Sequence, residues 1–247
     1  MVRIQEIQEI PLLGKFHNEI CFKLVSLIKH QYENLITDGI RGVLFYGVPG
    51  NGKTTTAYKI VEKVFAEYGM GEQWQEHMIF TDCGDLAHYR YGETEQKIKD
   101  VFKRGYEKSK KIAPVIYIFD DADGLFITRS WGIKLEAWYL GHLNVFFHQI
   151  DNLNTAKEFI ILTTNRVDLI DAAIRDRLYE IEFPEPSLGV KVELMRYKAQ
   201  KLKINEDVQK DMEADLATNK SIKSLRDVEN FVLMRYLDEI WRSGWNK

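Results

Sequence analysis

Cysteine and proline are scarce in these 247 residues, at two and five. Cys21 and Cys83 lie far apart and in no CxxC pattern, which points away from a disulfide framework and from a zinc site. They read as small buried apolar side chains. His17, His30, His77, His88, His142 and His148 show no close ligand spacing, so they take surface or core roles. No apolar run reaches the length of a membrane-spanning helix. The start, Met1-Val2-Arg3-Ile4-Gln5-Glu6, has no apolar stretch of the signal-peptide kind. A soluble, cytoplasmic protein with no membrane partner is the expectation. Charge of one sign is not in excess either. A net charge of −3 argues against a chain that mainly coats nucleic acid, while leaving room for a local basic patch. Repeats and low-complexity segments are absent.

What is present is an apolar content of 45%, ample for a core, in a length that holds one large domain or a medium and a small one. Apolar runs predict strands at 42–46, 78–82, 115–120, 159–163 and 179–183, with helical patterns between them. One such pattern is 93–111, with Ile98, Val101 and Phe102 facing inward. Alternation of this kind implies a doubly wound α/β sheet. Pro184 and Pro186 flank Glu185 after the last strand and mark a boundary. Beyond it only helices are predicted, at 189–203, 206–217 and 224–242. Ser224 and Asp227 fit a capping box for the last of them.

Gly47-Val48-Pro49-Gly50-Asn51-Gly52-Lys53-Thr54 carries the chemistry. It fits the phosphate-loop pattern of Gly, four residues, Gly, Lys and Ser or Thr. Gly50, Asn51 and Gly52 tolerate positive φ, so consecutive N–H groups turn inward as an anion nest. Lys53 reaches the β- and γ-phosphates, and the Thr54 hydroxyl ligates Mg²⁺. The strand Gly42–Tyr46 leads into the loop. A helix follows it, with Ala57, Ile60, Val61, Val64 and Phe65 on one face and Gly69 as its stop. Val115 through Asp121 is an apolar strand ending in two acids. Asp120 is placed to hold Mg²⁺, directly or through water, and Asp121 to polarise an attacking water.

With these motifs in this order, the chain resembles the AAA+ ATPases, and more narrowly their AAA branch. Gly42 through Gly47 is similar to the lead into the Walker A loop. Pro114 through Phe126 is similar to the Walker B strand and its exit. Val145 through Leu153 resembles the helix before the sensor strand, and Phe159 through Arg166 that strand, with Asn165 as sensor 1. Asp171 through Leu178, then Phe183 through Pro186, resembles the arginine-finger segment and the passage into a lid. The resemblance implies a P-loop NTPase-type parallel sheet sandwiched by helices over 1–185, then a small all-helical lid over 186–247. It implies ATP and Mg²⁺ as ligands and a homo-oligomer, expected to be a hexameric ring. The implied nucleotide-binding set is Gly47, Pro49, Gly50, Asn51, Gly52, Lys53, Thr54 and Thr55, joined by Arg226 if Ser224-Leu225-Arg226-Asp227 acts as a sensor 2 segment. Lys53, Asp120, Asp121 and Asn165 are the implied catalytic residues, and Thr54 and Asp120 hold the metal. Arg175 and Arg177 are the finger candidates, lent to a neighbour's γ-phosphate. Their other reading is an exposed salt bridge, for example with Asp171 or Asp176.

Two positions depart from the family. Asp121 stands where its catalytic Glu would be and is one methylene shorter, so hydrolysis is expected to be retained but slow. In Tyr89-Arg90-Tyr91-Gly92-Glu93, Arg90 takes the aromatic position of the family's pore loop 1. The segment is either a pore loop with a shifted aromatic contact or a plain loop before a helix. Arg129-Ser130-Trp131-Gly132 is a second pore loop or an interface segment. The favoured function is a ring-forming ATPase that remodels a protein substrate, itself chosen by loops, the first 15 residues or an adaptor. The alternatives are a nucleic-acid-handling initiator or loader, and a slow ATP-gated assembly switch.

Overall fold

The computed structural model describes residues 11–69, 71–86, 92–111, 114–126 and 137–244. Helix α1 (Gly14–Glu33) leads to strand β1 (Gly42–Tyr46), and the phosphate loop joins β1 to α2 (Lys53–Glu67). Strand β2 (Met78–Asp82) runs into the single turn α3 (Cys83–Leu86) and then α4 (Glu93–Lys111). Strand β3 (Val115–Asp120), α5 (Ala137–Asp151), β4 (Glu158–Thr164), the short α6 (Ala172–Arg175) and β5 (Tyr179–Glu182) complete the α/β part. The sheet is five-stranded with the order β2-β3-β4-β1-β5, and every pairing is parallel. Parallel strands need crossover helices, which cover both faces and make apolar runs obligatory.

The two faces can be read residue by residue. Leu44, Val115, Tyr117, Phe119, Ile160 and Leu162 point to one side, where α4 and α5 pack with Ile98, Phe102 and Phe146. Val43, Phe45, Ile116, Ile118, Phe159 and Ile161 point to the other, against Ile28, Ile60, Val61 and Phe65 of α1 and α2. This is the period-two alternation of a strand buried on both sides. Phe119 is fully buried, and truncating such a ring to alanine costs about 3–5 kcal/mol. Cys21 and Cys83 are buried members of the two clusters, and burial raises the pKa of both thiols.

After Pro184 and Pro186 the chain forms α7 (Leu188–Lys201), α8 (Glu206–Thr218) and α9 (Leu225–Gly244). They share a separate cluster built on Leu194, Met195, Met212, Leu216, Val228 and Val232, which Leu13 also joins. The capping box is formed: Asp227 Oδ2 accepts the Ser224 N–H at 2.8 Å, and Ser224 Oγ accepts the Asp227 N–H at 3.1 Å. Among the described residues no helix is long and apolar enough to cross a membrane.

The predicted strands coincide with the observed ones to within one residue at either end. Tyr89–Tyr91 and Arg129–Gly132, the two pore-loop candidates, lie outside the described residues. Only Gly92, with a φ of +83°, and Glu93 at the start of α4 are described there.

Candidate functional site

The phosphate loop leaves β1 beside β4, and β3 lies on the other side of β4. The carboxyl ends of β1, β3 and β4 therefore meet, the usual place for a ligand in such a sheet. The loop needs its glycines. Gly50 has a φ of +77°, and a Cβ there would lie 2.7 Å from Cβ of Arg226. Gly47 has a φ of +138°, and its Cβ would lie 2.4 Å from the Phe183 carbonyl oxygen. A side chain at either position would push the loop off β5 or off α9. The loop opens α2 with Gly52 in the left-handed region and no side-chain cap, which leaves the helix's first N–H groups for another acceptor.

Lys53 is buried, and its ammonium donates to Gly47 O at 2.9 Å, Val48 O at 3.0 Å and Asn165 Oδ1 at 2.7 Å. Burial lowers its pKa to about 8, against the upward pull of Asp121, Asp120 and Asp123. The hydroxyls of Thr54 and Thr163 donate to the same oxygen of Asp120, at 2.7 and 2.5 Å. Asp121 has the left-handed φ of +51°, rare for a residue with a side chain. Its N–H donates to Thr163 Oγ1 at 3.2 Å, and its carboxylate accepts from Asn165 Nδ2 at 3.1 Å. The pKa of that carboxyl is raised by burial first and then by repulsion from Asp120, Asp123 and Asp82. Asn165 thus bridges Lys53 and Asp121. Asp123 holds it there, with Oδ1 accepting the Asn165 N–H at 3.2 Å and the Thr164 hydroxyl at 2.6 Å.

Lys53, Thr54, Asp120, Asp121, Thr163 and Asn165 line a cavity of about 680 Å³, together with Pro49, Gly50, Gly52, Thr55 and Asp82. Pro11, Leu12, Leu13 and His17 line it as well, with Leu194, Leu225 and Glu229 of the terminal helices. Arg226 lines the same cavity, and its backbone N–H donates to Gly50 O at 3.2 Å. Asn51 is buried; its Nδ2 donates to Pro184 O at 3.0 Å, and its Oδ1 has no partner among the described residues. A buried cation, an acidic cluster and apolar side chains in one cavity suit a nucleotide. The N–H nest, Lys53 and Arg226 fit the phosphates. The converging oxygens of Thr54 and Asp120 are the hard donor set that Mg²⁺ takes.

Arg175 and Arg177 are not brought to this cavity. Arg175 forms a bidentate pair with Glu180, at 2.7 and 3.1 Å. Arg177 pairs with Asp151, both contacts at 2.9 Å, donates to Ala173 O at 2.8 Å and lies 5.0 Å from the centre of the Phe147 ring. The partners are not those anticipated from proximity in the chain. Asp171 instead caps α6 through the Ala173 N–H at 2.9 Å. Sequence reasoning passed over Asp123, Thr163 and His17, and the apolar side chains that line the cavity. Asp123, two positions past Asp121, and Thr163, two before Asn165, sit inside segments already singled out. His17 carries no local signal.

A sequence profile of the ATPase family associated with various cellular activities (AAA) matches residues 43–185. A proteasome-associated ATPase of Saccharopolyspora erythraea is 31% identical over 191 residues, 72% of this chain and 31% of that protein. An AAA ATPase forming ring-shaped complexes, from Corynebacterium diphtheriae, is 33% identical over 136 residues, 54% of this chain and 26% of that protein. Such matches span about a quarter to a third of those proteins' own length. Among solved structures, a chain of the E. coli MS115-1 HORMA:CdnC:Trip13 complex has the same fold, with a TM-score of 0.66, 18% identity, 94% of this chain covered and 91% of that one.

Proposed function

The chain belongs to the AAA family of ATPases, and from that membership we propose that it is a slow ATPase working as a homo-oligomeric ring that remodels a protein partner. The observation that carries the reading is the assembly of Lys53, Thr54, Asp120, Asp121 and Asn165, from three separate segments (the phosphate loop and the ends of β3 and β4), into one bonded cluster lining a nucleotide-sized cavity.

The geometry supports the following division of labour. Residues 1–185 supply the phosphate site and residues 186–247 the lid. Gly47, Pro49, Gly50, Asn51, Gly52, Lys53, Thr54 and Thr55 cradle the phosphates, and Arg226 reaches them from the lid. Lys53 exchanges its bonds to Gly47 O and Val48 O for phosphate oxygens, a move from neutral to charged acceptors that strengthens each bond. Thr54 and Asp120 hold Mg²⁺, which neutralises phosphate charge when bound. Asp121 takes the proton of the attacking water while Asn165 orients it. Two features make this slow. Asp121 is a methylene shorter than glutamate, and it is already committed to Asn165. Arg175 and Arg177 act on a neighbour's site once their own carboxylates release them.

Ring assembly draws support from the relative that forms ring-shaped complexes, and a protein substrate from the proteasome-associated relatives. The test is turnover and mass in one preparation. ATP hydrolysis above a Lys53→Ala control, stimulated by unfolded protein and accompanied by a ring-sized species with a non-hydrolysable analogue, is the expected result. Stimulation by DNA with a steep salt dependence favours a nucleic-acid loader instead. Nucleotide-dependent assembly with no turnover favours an ATP-gated switch, a second reading that the occupied state of Asp121 supports.

A further inference from the structure

The phosphate loop is gripped from outside at two consecutive carbonyls. Gly50 O accepts the Arg226 N–H at the start of α9, at 3.2 Å. Asn51 O lies 2.9 Å from Nε2 of His17, a buried residue in the first turn of α1. A trans peptide unit is planar, so its C=O and N–H point in opposite directions. A carbonyl held outward therefore turns the next residue's N–H inward. The lid's hold on Gly50 O aims the Asn51 N–H into the loop, and the hold on Asn51 O aims the Gly52 N–H there. Successive inward amides of this kind are what an anion nest consists of.

We propose that His17 is a positioning residue for the phosphate loop, holding the Asn51 carbonyl outward so that the Gly52 N–H faces a bound phosphate. This rests on the reading of the cavity as an ATP site. The ring is fixed on every side. Nδ1 lies 2.9 Å from Leu13 O, on a segment that borders the cavity. Phe16 and Phe183 meet the ring edge-on, with centroids at 5.4 and 5.6 Å. A Cβ on Gly52 would lie 3.3 Å from Nε2, so the loop approaches the imidazole as closely as a glycine permits. Carbonyl oxygens only accept, so a ring nitrogen that bonds one must donate. A neutral ring serves one of the two carbonyls, an imidazolium both. The Asn51 side chain is anchored separately to Pro184 O, which leaves the backbone carbonyl as the contact that depends on His17. The imidazole thus stands between Leu13, on the border of the cavity, and Asn51 of the phosphate loop.

The test is calorimetric titration of Mg²⁺ and ADP into the wild type, His17→Phe and His17→Gln. Phenylalanine keeps the aromatic packing and has no N–H. Glutamine carries an amide N–H on a side chain long enough to reach where Nε2 stands. The expected result is a Kd about tenfold higher for His17→Phe, the size of one lost hydrogen bond, with most of that loss recovered by His17→Gln. Thermal melts establish that both variants fold cooperatively, and His17→Met replaces the phenylalanine variant if that one does not. Unchanged ADP binding by the variant without an N–H overturns the proposal. So does equal weakening in both variants, because ring shape and not the donated hydrogen would then hold the loop. A wild type that binds no ADP overturns the nucleotide-site reading itself, which the variants alone cannot do.

Discussion

Two groups of charged side chains are built on opposite principles. Around Lys53, carboxylates crowd together: burial first, and then the charges of Asp120, Asp123 and Asp82, make Asp121 harder to ionise. One half-withdrawn ammonium and a few hydroxyls compensate them. In the arginine segment both arginines are matched. Arg175 has Glu180 and Arg177 has Asp151, each in a two-pronged pair. The first arrangement is electrostatically unfinished and gains from a cation and a phosphate chain. The second is complete within one chain, so anything that uses these arginines must compete with a carboxylate already in place. Incomplete and complete charge sets mark, respectively, a site that gains from a ligand and a segment whose arginines are already satisfied.

The comparison can be broken most sharply at the arginines. If they act in trans, alanine at Arg175 or Arg177 lowers ATP turnover by about 10³-fold. Mixing that variant with Lys53→Ala then restores part of the activity, because each supplies what the other lacks. If they serve only their own chain, turnover is kept and each alanine costs about 0–1 kcal/mol in a denaturant titration, the worth of an exposed pair. Lys53→Ala alone is expected to lower turnover by about 10²–10³-fold, the scale of removing one charge-stabilising donor. A smaller loss would mean that the crowded acids, not the ammonium, control the site. Asp121→Asn is expected to cost about 10²-fold as the proton acceptor is lost. Asp121→Glu is expected to raise turnover about tenfold, since the longer carboxylate reaches the water without giving up its place; no gain in single-turnover rate would rule out chain length as the reason for slowness.

The smallest effect is a pH dependence of the matched group. The bond from Arg177, then its charge, holds the Asp151 carboxyl below its ordinary value. A depressed folded value means stability that is present above the ordinary carboxylate range and is lost as pH falls through the folded value. Asp151 is 44% exposed, so solvent screening keeps the whole contribution to about 0–1 kcal/mol. An NMR titration of Asp151 that returns to the ordinary range in Arg177→Ala checks it.

Much of this was readable in advance, for local reasons. A parallel strand covered on both faces must be apolar throughout, so β1, β3 and β4 announce themselves. A phosphate loop needs glycine at fixed steps, and the observed φ values of Gly50 and Gly52 follow from that need. The box of Ser224 and Asp227 is a three-residue matter. Asp123 and Thr163 were passed over because their roles arise only when β3 lies beside β4. His17 was passed over because its partner is 34 residues away in the chain and a lone histidine has no pattern. The partner of Arg177 went unforeseen for the same reason: Asp171 and Asp176 are close in sequence, while Asp151 is 26 residues distant; Glu180, five residues from Arg175, lies on β5.

By itself, then, the order of residues determined the elements, the nucleotide loop and the acids that end β3, because each depends on torsion and burial within a few positions. The tertiary structure alone decided which oxygen Thr54 and Thr163 share, what Asn165 bridges, what His17 holds, and that Arg177 rests in a pair with Asp151. Those are distances between segments far apart in the chain, and hydrogen bonds fall off over tenths of an ångström. Only the packing of the sheet and the seating of α1 and the terminal helices set distances that finely.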